Sequence, residues 1–152
     1  MTKAQAFLQQ WMIHRRVLPD LFAALNDEDL LFRPWDGAMS TADLAVHILS
    51  SGLSFGKLAA TGKYEPSAEK PQLNTIADVQ QAYHKYTTEL TEIINAISDE
   101  QFDTTVSMFG REVTAGTVLA TMRDHEIHHK GQLFVYARLC SAQKVPMFIN
   151  AG

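Results

Sequence analysis

Apolar residues recur every three or four positions through four stretches of this 152-residue chain, each stretch about 20 residues long. That spacing places an apolar stripe along one side of an α-helix. No sheet pattern is convincing, and the length suits one domain with a sizeable core. We therefore expect an all-α protein in which residues 1–152 form a single four-helix-bundle domain, with helices near 3–25, 40–60, 76–97 and 115–140.

Short polar motifs mark where three of these helices begin. Ser40 and Asp43 have the three-residue spacing of a capping box, and so do Thr75 and Asp78. Thr114 is placed to cap the fourth helix. These residues predict the starts of the second, third and fourth helices.

The first helix and the connectors are less regular. Pro19 should kink the first helix, because it removes one backbone hydrogen bond. A short helical turn is possible at 27–32, and residues 106–113 could turn as a small hairpin around Gly110. The connectors, at about 14 to 17 residues, exceed the roughly two to eight usual between antiparallel neighbours, so a simple up-down-up-down order does not follow.

A pair of histidines in the fourth helix has the spacing of metal ligands. His125 and His129 are one helical turn apart, so both rings can point at one cation. With Glu126 the pair also matches the zinc-protease pattern, in which the glutamate is the general base. Those proteases take a third ligand from further along the chain, but no His, Asp or Glu follows His129 here. A third side-chain ligand must therefore come from upstream.

His47 is the best third ligand among the upstream histidines. It lies between Leu44 and Ile48 on the apolar stripe of the second helix, whereas His14 and His84 have the surroundings of solvated or boundary residues. Three imidazoles with one open position are typical of a reactive metal site, since structural zinc is usually closed by four protein ligands. Imidazole ligands suit zinc, nickel, copper and iron alike.

Other polar residues near the three histidines have both an ordinary and a functional interpretation. His128 lies too far around the helix to share the same ion easily, and it is expected in the surroundings of the site or at the helix boundary. Glu126 and Asp124 are slightly better explained as solvated flanks, and otherwise they would orient a ligand imidazole or shuttle a proton. Glu126 is the one candidate catalytic residue. Asp43 is already explained by the capping box.

A candidate pocket lies on the same faces as the histidines. Ser50, Ser51 and Ser54 are small residues near His47, and they indicate either a tight helix crossing or the floor of a cavity. Gln132 and Tyr136 continue the face of the histidine pair and could line the same pocket. Tyr136 also fits as an ordinary core aromatic.

Composition excludes several classes of protein. The formal net charge of −4 argues against a nucleic-acid binder, which would carry a clustered basic face. No apolar run approaches the roughly 18 residues of a membrane span, and the first residues lack the apolar core of a signal peptide. Cys140 is the single cysteine, so no intrachain disulfide can form. We expect a cytoplasmic protein without membrane or nucleic-acid partners.

Three segments together resemble the DinB/YfiT-like family. They are the fourth-helix motif at 125–133, the residues 46–49 around His47, and the apolar tail at 145–148. The resemblance implies a four-helix bundle in up-down-down-up order, often dimeric, with nickel or zinc on three histidines. Carried onto this chain, those ligands are His47, His125 and His129.

The resemblance leaves two classes of function open. Some relatives are transferases or isomerases that use a low-molecular-weight thiol such as bacillithiol, mycothiol or glutathione, in which the metal would hold the sulfur as thiolate. The first expectation is therefore a metal-dependent enzyme acting on a small molecule, a thiol S-transferase ahead of a hydrolase. The second is a metal-binding stress-response protein without turnover, because a bundle supports many functions.

Overall fold

The computed structural model describes residues 1–67, 70–140 and 142–152, and the chain is mainly helical there. The described elements are listed here in chain order: helices α1 (Lys3–Arg15) and α2 (Val17–Ala23), a 3-10 helix (Asp27–Leu31), helices α3 (Thr41–Thr61), α4 (Ile76–Asn95) and α5 (Asp99–Phe102), strands β1 (Thr105–Met108) and β2 (Arg111–Thr114), and helix α6 (Ala115–Leu139).

The predicted caps fix three helix starts. Ser40 and Asp43 form a reciprocal capping box at α3, in which the Ser40 hydroxyl accepts from the Asp43 amide. Thr75 and Asp78 do the same at α4. The Thr114 hydroxyl accepts from the backbone of α6. Each interaction satisfies an amide that has no partner within its helix, which is why these boundaries follow the sequence closely.

The first helix, predicted near 3–25 with a kink at Pro19, is interrupted, and the interruption lies earlier than Pro19. It is divided into α1 and α2 at Arg16, three residues before Pro19. A proline ring clashes with the carbonyl four residues earlier, here that of Arg15, so the interruption lies upstream of the ring. Pro19 itself lies in the first turn of α2, where its missing amide hydrogen costs little.

The connector between α4 and α6 contains the predicted hairpin and one element that was not predicted. Strands β1 and β2 pair antiparallel, with Met108 opposite Arg111. Phe109 and Gly110 form the turn, and both have positive φ angles, as a two-residue hairpin turn of this kind requires. The short helix α5 precedes the hairpin and is too brief to give a periodic signal.

Helix α3 has the most extensive contacts in the fold, first with α6 and then with α4. Gly56 allows α3 to approach α4 closely, since a Cβ atom at this position would lie 2.3 Å from the Leu90 side chain of α4. Buried apolar side chains form two clusters, one that joins α2, the first half of α3, the start of α4 and the end of α6, and one that joins α1, the second half of α3, the end of α4 and the start of α6. The histidine-bearing helices α3 and α6 are therefore firmly packed on each other.

The C-terminal segment packs back on the helices through its backbone. The Asn150 amide donates to the Ile13 carbonyl at 2.7 Å, and the Lys130 ammonium donates to the Phe148 carbonyl. The side chains of Met147 and Phe148 nevertheless face solvent. Among the described helices, none combines the length and apolar character needed to cross a bilayer.

Candidate metal centre

His47 of α3 and the pair His125 and His129 of α6 meet in one cluster. Their Nε2 atoms form a nearly equilateral triangle, with sides of 3.2 Å from His47 to His125, 3.1 Å from His47 to His129 and 3.1 Å from His125 to His129. The helical spacing of the α6 pair and the packing of α3 on α6 produce this geometry. These are the three residues that the sequence selected, and His14 and His84 lie elsewhere.

Hydrogen bonding among the rings does not account for this triangle. Each Nε2 carries either one hydrogen or one lone pair in the ring plane, so at most one of the three contacts can be a hydrogen bond. The remaining nitrogen would face its neighbours unsatisfied. A divalent cation removes this conflict, because it accepts three lone pairs at once.

The spacing also fits a cation of ordinary size. Three nitrogens at about 2.0–2.1 Å from a zinc ion in tetrahedral geometry are about 3.3–3.4 Å apart. The observed separations of 3.1 to 3.2 Å are within about 0.3 Å of that value. The donor set therefore fits a divalent transition metal, and three protein ligands leave room for a further one.

Two polar side chains orient the rings from outside the triangle. The Gln132 Oε1 atom lies 2.6 Å from His129 Nδ1, and an amide oxygen can only accept. His129 Nδ1 must then carry the hydrogen, so the lone pair is on Nε2 and faces the triangle. The Ser51 hydroxyl lies 3.4 Å from His47 Nδ1 and is placed to do the same more weakly.

Two of the three imidazoles, those of His47 and His125, have lowered pKa values. Burial, followed by the neighbouring His129 and His47, lowers the pKa of His125 from 6.5 to about 4. Burial also lowers the pKa of His47, with His129 and Lys70 adding to the effect. A metal ligand must be deprotonated, so these two rings are available to a cation at neutral pH.

Glu126 does not lie with the histidines. Its side chain is 2% exposed, so its interpretation as a solvated flank is wrong. Both carboxylate oxygens accept hydrogen bonds from α1: Oε1 from Arg15 Nη2 at 2.5 Å and from Trp11 Nε1 at 3.2 Å, and Oε2 from Arg15 Nε at 3.2 Å. The carboxylate that the sequence offered as a general base is therefore bound to side chains of α1 rather than to an imidazole of the cluster.

The remaining acidic residue and histidines that the sequence analysis considered lie at the surface or at the edge of the core, as expected for residues outside the site. Asp124 is exposed and pairs with Arg123. His128 is exposed, and its ring packs edge-on against His129 with centroids 4.7 Å apart. His84 is exposed, and His14 is partly buried beside the Lys130 ammonium, 3.1 Å from its Nδ1.

The predicted pocket residues separate into three groups. Ser51 and Gln132 contact the rings of His47 and His129, as described above. Ser50 lines a cavity of about 640 Å³ that also touches His47. Ser54 is buried but is not among the residues lining this cavity, and Tyr136 donates to the Met39 carbonyl at 2.9 Å, in keeping with a core aromatic.

Two cationic residues that the sequence did not single out, Arg33 and Lys70, also line that cavity. Both lie in connectors without periodicity, so no spacing in the sequence places them beside His47. The buried Arg15 was also missed, although it lies four residues after Trp11 and thus on the same inward face of α1.

Comparison with known proteins gives a consistent result over nearly the whole chain. A model described as the DinB family matches residues 1–148. YjoA of Bacillus subtilis (strain 168) is 30% identical over 151 residues, which cover 97% of this chain and 97% of YjoA. YizA of the same organism is 29% identical over 117 residues, covering 75% of this chain and 73% of YizA.

Solved structures resemble this fold equally broadly. The crystal structure of the DinB-like protein YjoA from Bacillus subtilis aligns with a TM-score of 0.84 at 28% identity, covering 95% of this chain and 98% of that one. A DinB-like protein from Bacillus cereus ATCC 10987 aligns with a TM-score of 0.76 at 25% identity, covering 94% and 95%.

Proposed function

This chain belongs to the DinB family, and we propose that His47, His125 and His129 hold one divalent metal ion, zinc or nickel. The triangle of Nε2 atoms about 3.1 to 3.2 Å apart is the observation that carries this proposal. The protonation and orientation of the rings support it, because burial lowers the pKa values of His47 and His125 and Gln132 directs the lone pair of His129 inward.

We further propose that the protein is a metal-dependent S-transferase that uses a low-molecular-weight thiol. A divalent ion in this site would lower the pKa of a coordinated thiol and so supply a thiolate at neutral pH. A sulfur–carbon bond then forms as the electrophile's leaving group departs, and the thiol proton passes to solvent. The chain's own part is to hold neutral imidazoles, to orient them through Gln132 and Ser51, and to offer a cavity beside His47 for a small molecule.

A metal-binding stress-response protein without turnover is the second candidate. The contacts of Glu126 favour this candidate. Glu126 is the carboxylate that matches the general base of the zinc-protease pattern, but it accepts hydrogen bonds from Arg15 and Trp11 instead. The same observation weighs against a hydrolase of the zinc-protease type, which needs that glutamate free to activate water.

Architecture and assembly complete the proposal. We propose the up-down-down-up bundle order for α1/α2, α3, α4 and α6, and a cytoplasmic homodimer. Exposed apolar side chains at the end of α6 and in the tail support a self-association surface: Val135, Leu139, Met147 and Phe148. Sedimentation at micromolar concentration checks the dimer, and a single monomeric species would contradict it.

Metal analysis of the purified protein is the first test. We expect one ion per chain in the wild type and large losses in His125→Ala and His129→Ala, because two imidazoles hold an ion poorly. His84→Ala is the matched control, since its ring is exposed and outside the cluster. Full metal content in His47→Ala would show that the third ligand is misassigned.

A conjugation assay separates the two functions. Bacillithiol, mycothiol, glutathione and cysteine are each combined with a chromogenic electrophile, with metal-loaded and metal-free protein side by side. We expect metal-dependent turnover that persists below the free thiol's pKa of about 8.5. Equal rates for both forms with every thiol would reject the transferase and leave the binding protein.

A further inference from the structure

A cavity of about 640 Å³ adjoins the three-histidine cluster on the α3 side. His47 and Ser50 line it from α3, and the connector segment 70–74 also lines it. The 3-10 helix and the residues after it close another side, through Leu30, Leu31 and Arg33. Its volume lies within the roughly 300–1,000 Å³ typical of small-molecule sites. A molecule held there would reach a metal ligand directly.

Two of the three charged residues of this cavity neutralise each other. Arg33 Nη2 lies 3.3 Å from Asp43 Oδ2, and Arg33 Nη1 donates to the Ala38 carbonyl. Asp43 Oδ2 also accepts from the Ser40 amide at 3.3 Å as part of the capping box. The Arg33 and Asp43 charges are therefore both engaged in holding the start of α3 and the connector before it.

Lys70 is the third charged residue of the cavity lining, and in the described part of the chain it forms no ion pair comparable to that of Arg33 and Asp43. Within residues 1–67, 70–140 and 142–152 its ammonium has no ion-pair or hydrogen-bond partner. Among the residues that the structure describes, Lys70 is therefore the one charged residue of this lining without a partner, and the apolar side chains of Met39, Val46 and Leu73 belong to the same lining.

We propose that this cavity binds a small thiol that carries a negatively charged group, with the anion at Lys70 and the sulfur directed to the three-histidine cluster. This inference rests on the proposed function, and it adds the charge of the ligand and the residue that selects it. A carboxylate suits the position best, because a single ammonium and the neutral amides of Gln72 and Asn74 line the cavity.

Three probe thiols of similar size and different charge test the assignment: 3-mercaptopropionate, 2-mercaptoethanol and cysteamine. Each is titrated into cobalt-loaded protein, and the thiolate-to-cobalt absorption band gives its dissociation constant. The wild type should bind 3-mercaptopropionate about two- to fivefold more tightly than 2-mercaptoethanol, the range expected for one solvent-accessible charge pair. Cysteamine should bind most weakly, and added salt should narrow the differences.

Charge reversal at the selecting residue provides the decisive comparison. In Lys70→Glu the order should invert, so that cysteamine binds more tightly than 3-mercaptopropionate. Lys63→Glu is the matched control, because Lys63 is an exposed lysine of the same connector that does not line the cavity. The control should keep the wild-type order, and because both lysines are exposed, neither change should disturb folding.

The outcomes distinguish this inference from the proposed function. A thiolate band with the same order of affinities in all three proteins would overturn the role of Lys70 while leaving metal-bound thiol chemistry in place. An equal inversion in both lysine variants would also overturn it, since the effect would then be one of net charge. Absence of the band with every thiol in the wild type would overturn the proposed thiol chemistry, and this inference with it.

Discussion

The carboxylate of Glu126 and the guanidinium of Arg15 form a buried ion pair, with their closest atoms 2.5 Å apart. Arg15 also donates to the Thr87 hydroxyl at 3.1 Å and lies over the Trp11 ring at 4.7 Å. A Cβ atom at Gly52 of α3 would be 3.1 Å from Arg15 Nη2. The pair of α1 and α6 therefore also meets α4 at Thr87 and approaches α3 at Gly52, and Glu126 directly follows His125 in the sequence.

Removing the cation of this pair should destabilise the protein strongly. In Arg15→Met the buried Glu126 carboxylate would lose its charge partner, and we expect a loss of about 3–5 kcal/mol in the free energy of unfolding. Chemical denaturation of the metal-free protein measures this loss. The double variant Arg15→Met/Glu126→Leu should be more stable than Arg15→Met alone, because no uncompensated charge stays buried.

An exposed ion pair serves as the control for this prediction. Lys3 and Asp103 also pair, but both side chains are largely solvent-accessible, so Lys3→Met should cost far less than Arg15→Met. Equal losses in Arg15→Met and Lys3→Met would mean that the buried pair contributes no special stability.

Much of the fold could be predicted because it depends on local sequence signals. The caps at Ser40, Thr75 and Thr114 satisfy amides within three residues, so they can be identified without knowing the tertiary structure. The histidine pair is local in the same way, and His47 could be selected because the apolar stripe around it directs it inward. The break at Arg16 could not be placed as easily, because Pro19 affects the chain upstream of itself.

The partner of Glu126 and the position of Lys70 could not be predicted, because both depend on contacts between segments that are distant in the sequence. From the sequence, Glu126 is slightly better explained as a solvated flank than as a general base, and neither interpretation includes its partner Arg15, which is 111 positions away. Lys70 lies in a connector without periodicity, and only the packing of that connector brings it to the cavity that His47 also lines. Side-chain direction around a helix follows from periodicity, whereas the identity of the partner across the helix interface does not.

Gln132 should control the metal affinity of the cluster. In Gln132→Leu the acceptor that fixes the hydrogen on His129 Nδ1 is lost, so we expect a 10- to 100-fold weaker affinity, roughly the usual cost of losing such a partner. Gln132→Glu keeps an acceptor and should retain tight binding. Competition with a chelator measures both affinities. Gln81→Leu, an exposed change on α4, should leave affinity unchanged, and an unchanged affinity in Gln132→Leu would contradict the orienting role.

Two glycine-to-alanine changes should have opposite effects on stability. The new methyl in Gly56→Ala would lie 2.3 Å from Leu90 Cδ1, and Leu90 is fully buried, so we expect a loss of about 1–2 kcal/mol from overpacking. Gly131→Ala meets no atom within 4 Å and should gain up to about 1 kcal/mol from helix propensity. Denaturation midpoints test both. Stabilisation by Gly56→Ala would show that the α3–α4 contact can relax.

The metal-free protein should lose stability as the pH falls from about 6.5 to about 4, the free and folded pKa values of His125. Because burial lowers the folded pKa, the unfolded chain binds a proton in this range that the folded chain does not. Protonation therefore favours unfolding, and the loss is complete below about pH 4. The lowered pKa values of His47 and His14 act in the same direction.

Melting temperatures between pH 4 and 7, recorded after metal removal, measure this dependence. His125→Gln removes the titrating ring and should flatten the curve, whereas His84→Gln changes an exposed histidine and should leave it as in the wild type. A metal-loaded sample should resist acid to lower pH, because the ion and the proton compete for the same nitrogens. If His125→Gln retained the full wild-type dependence, the acid sensitivity would have to arise from other groups.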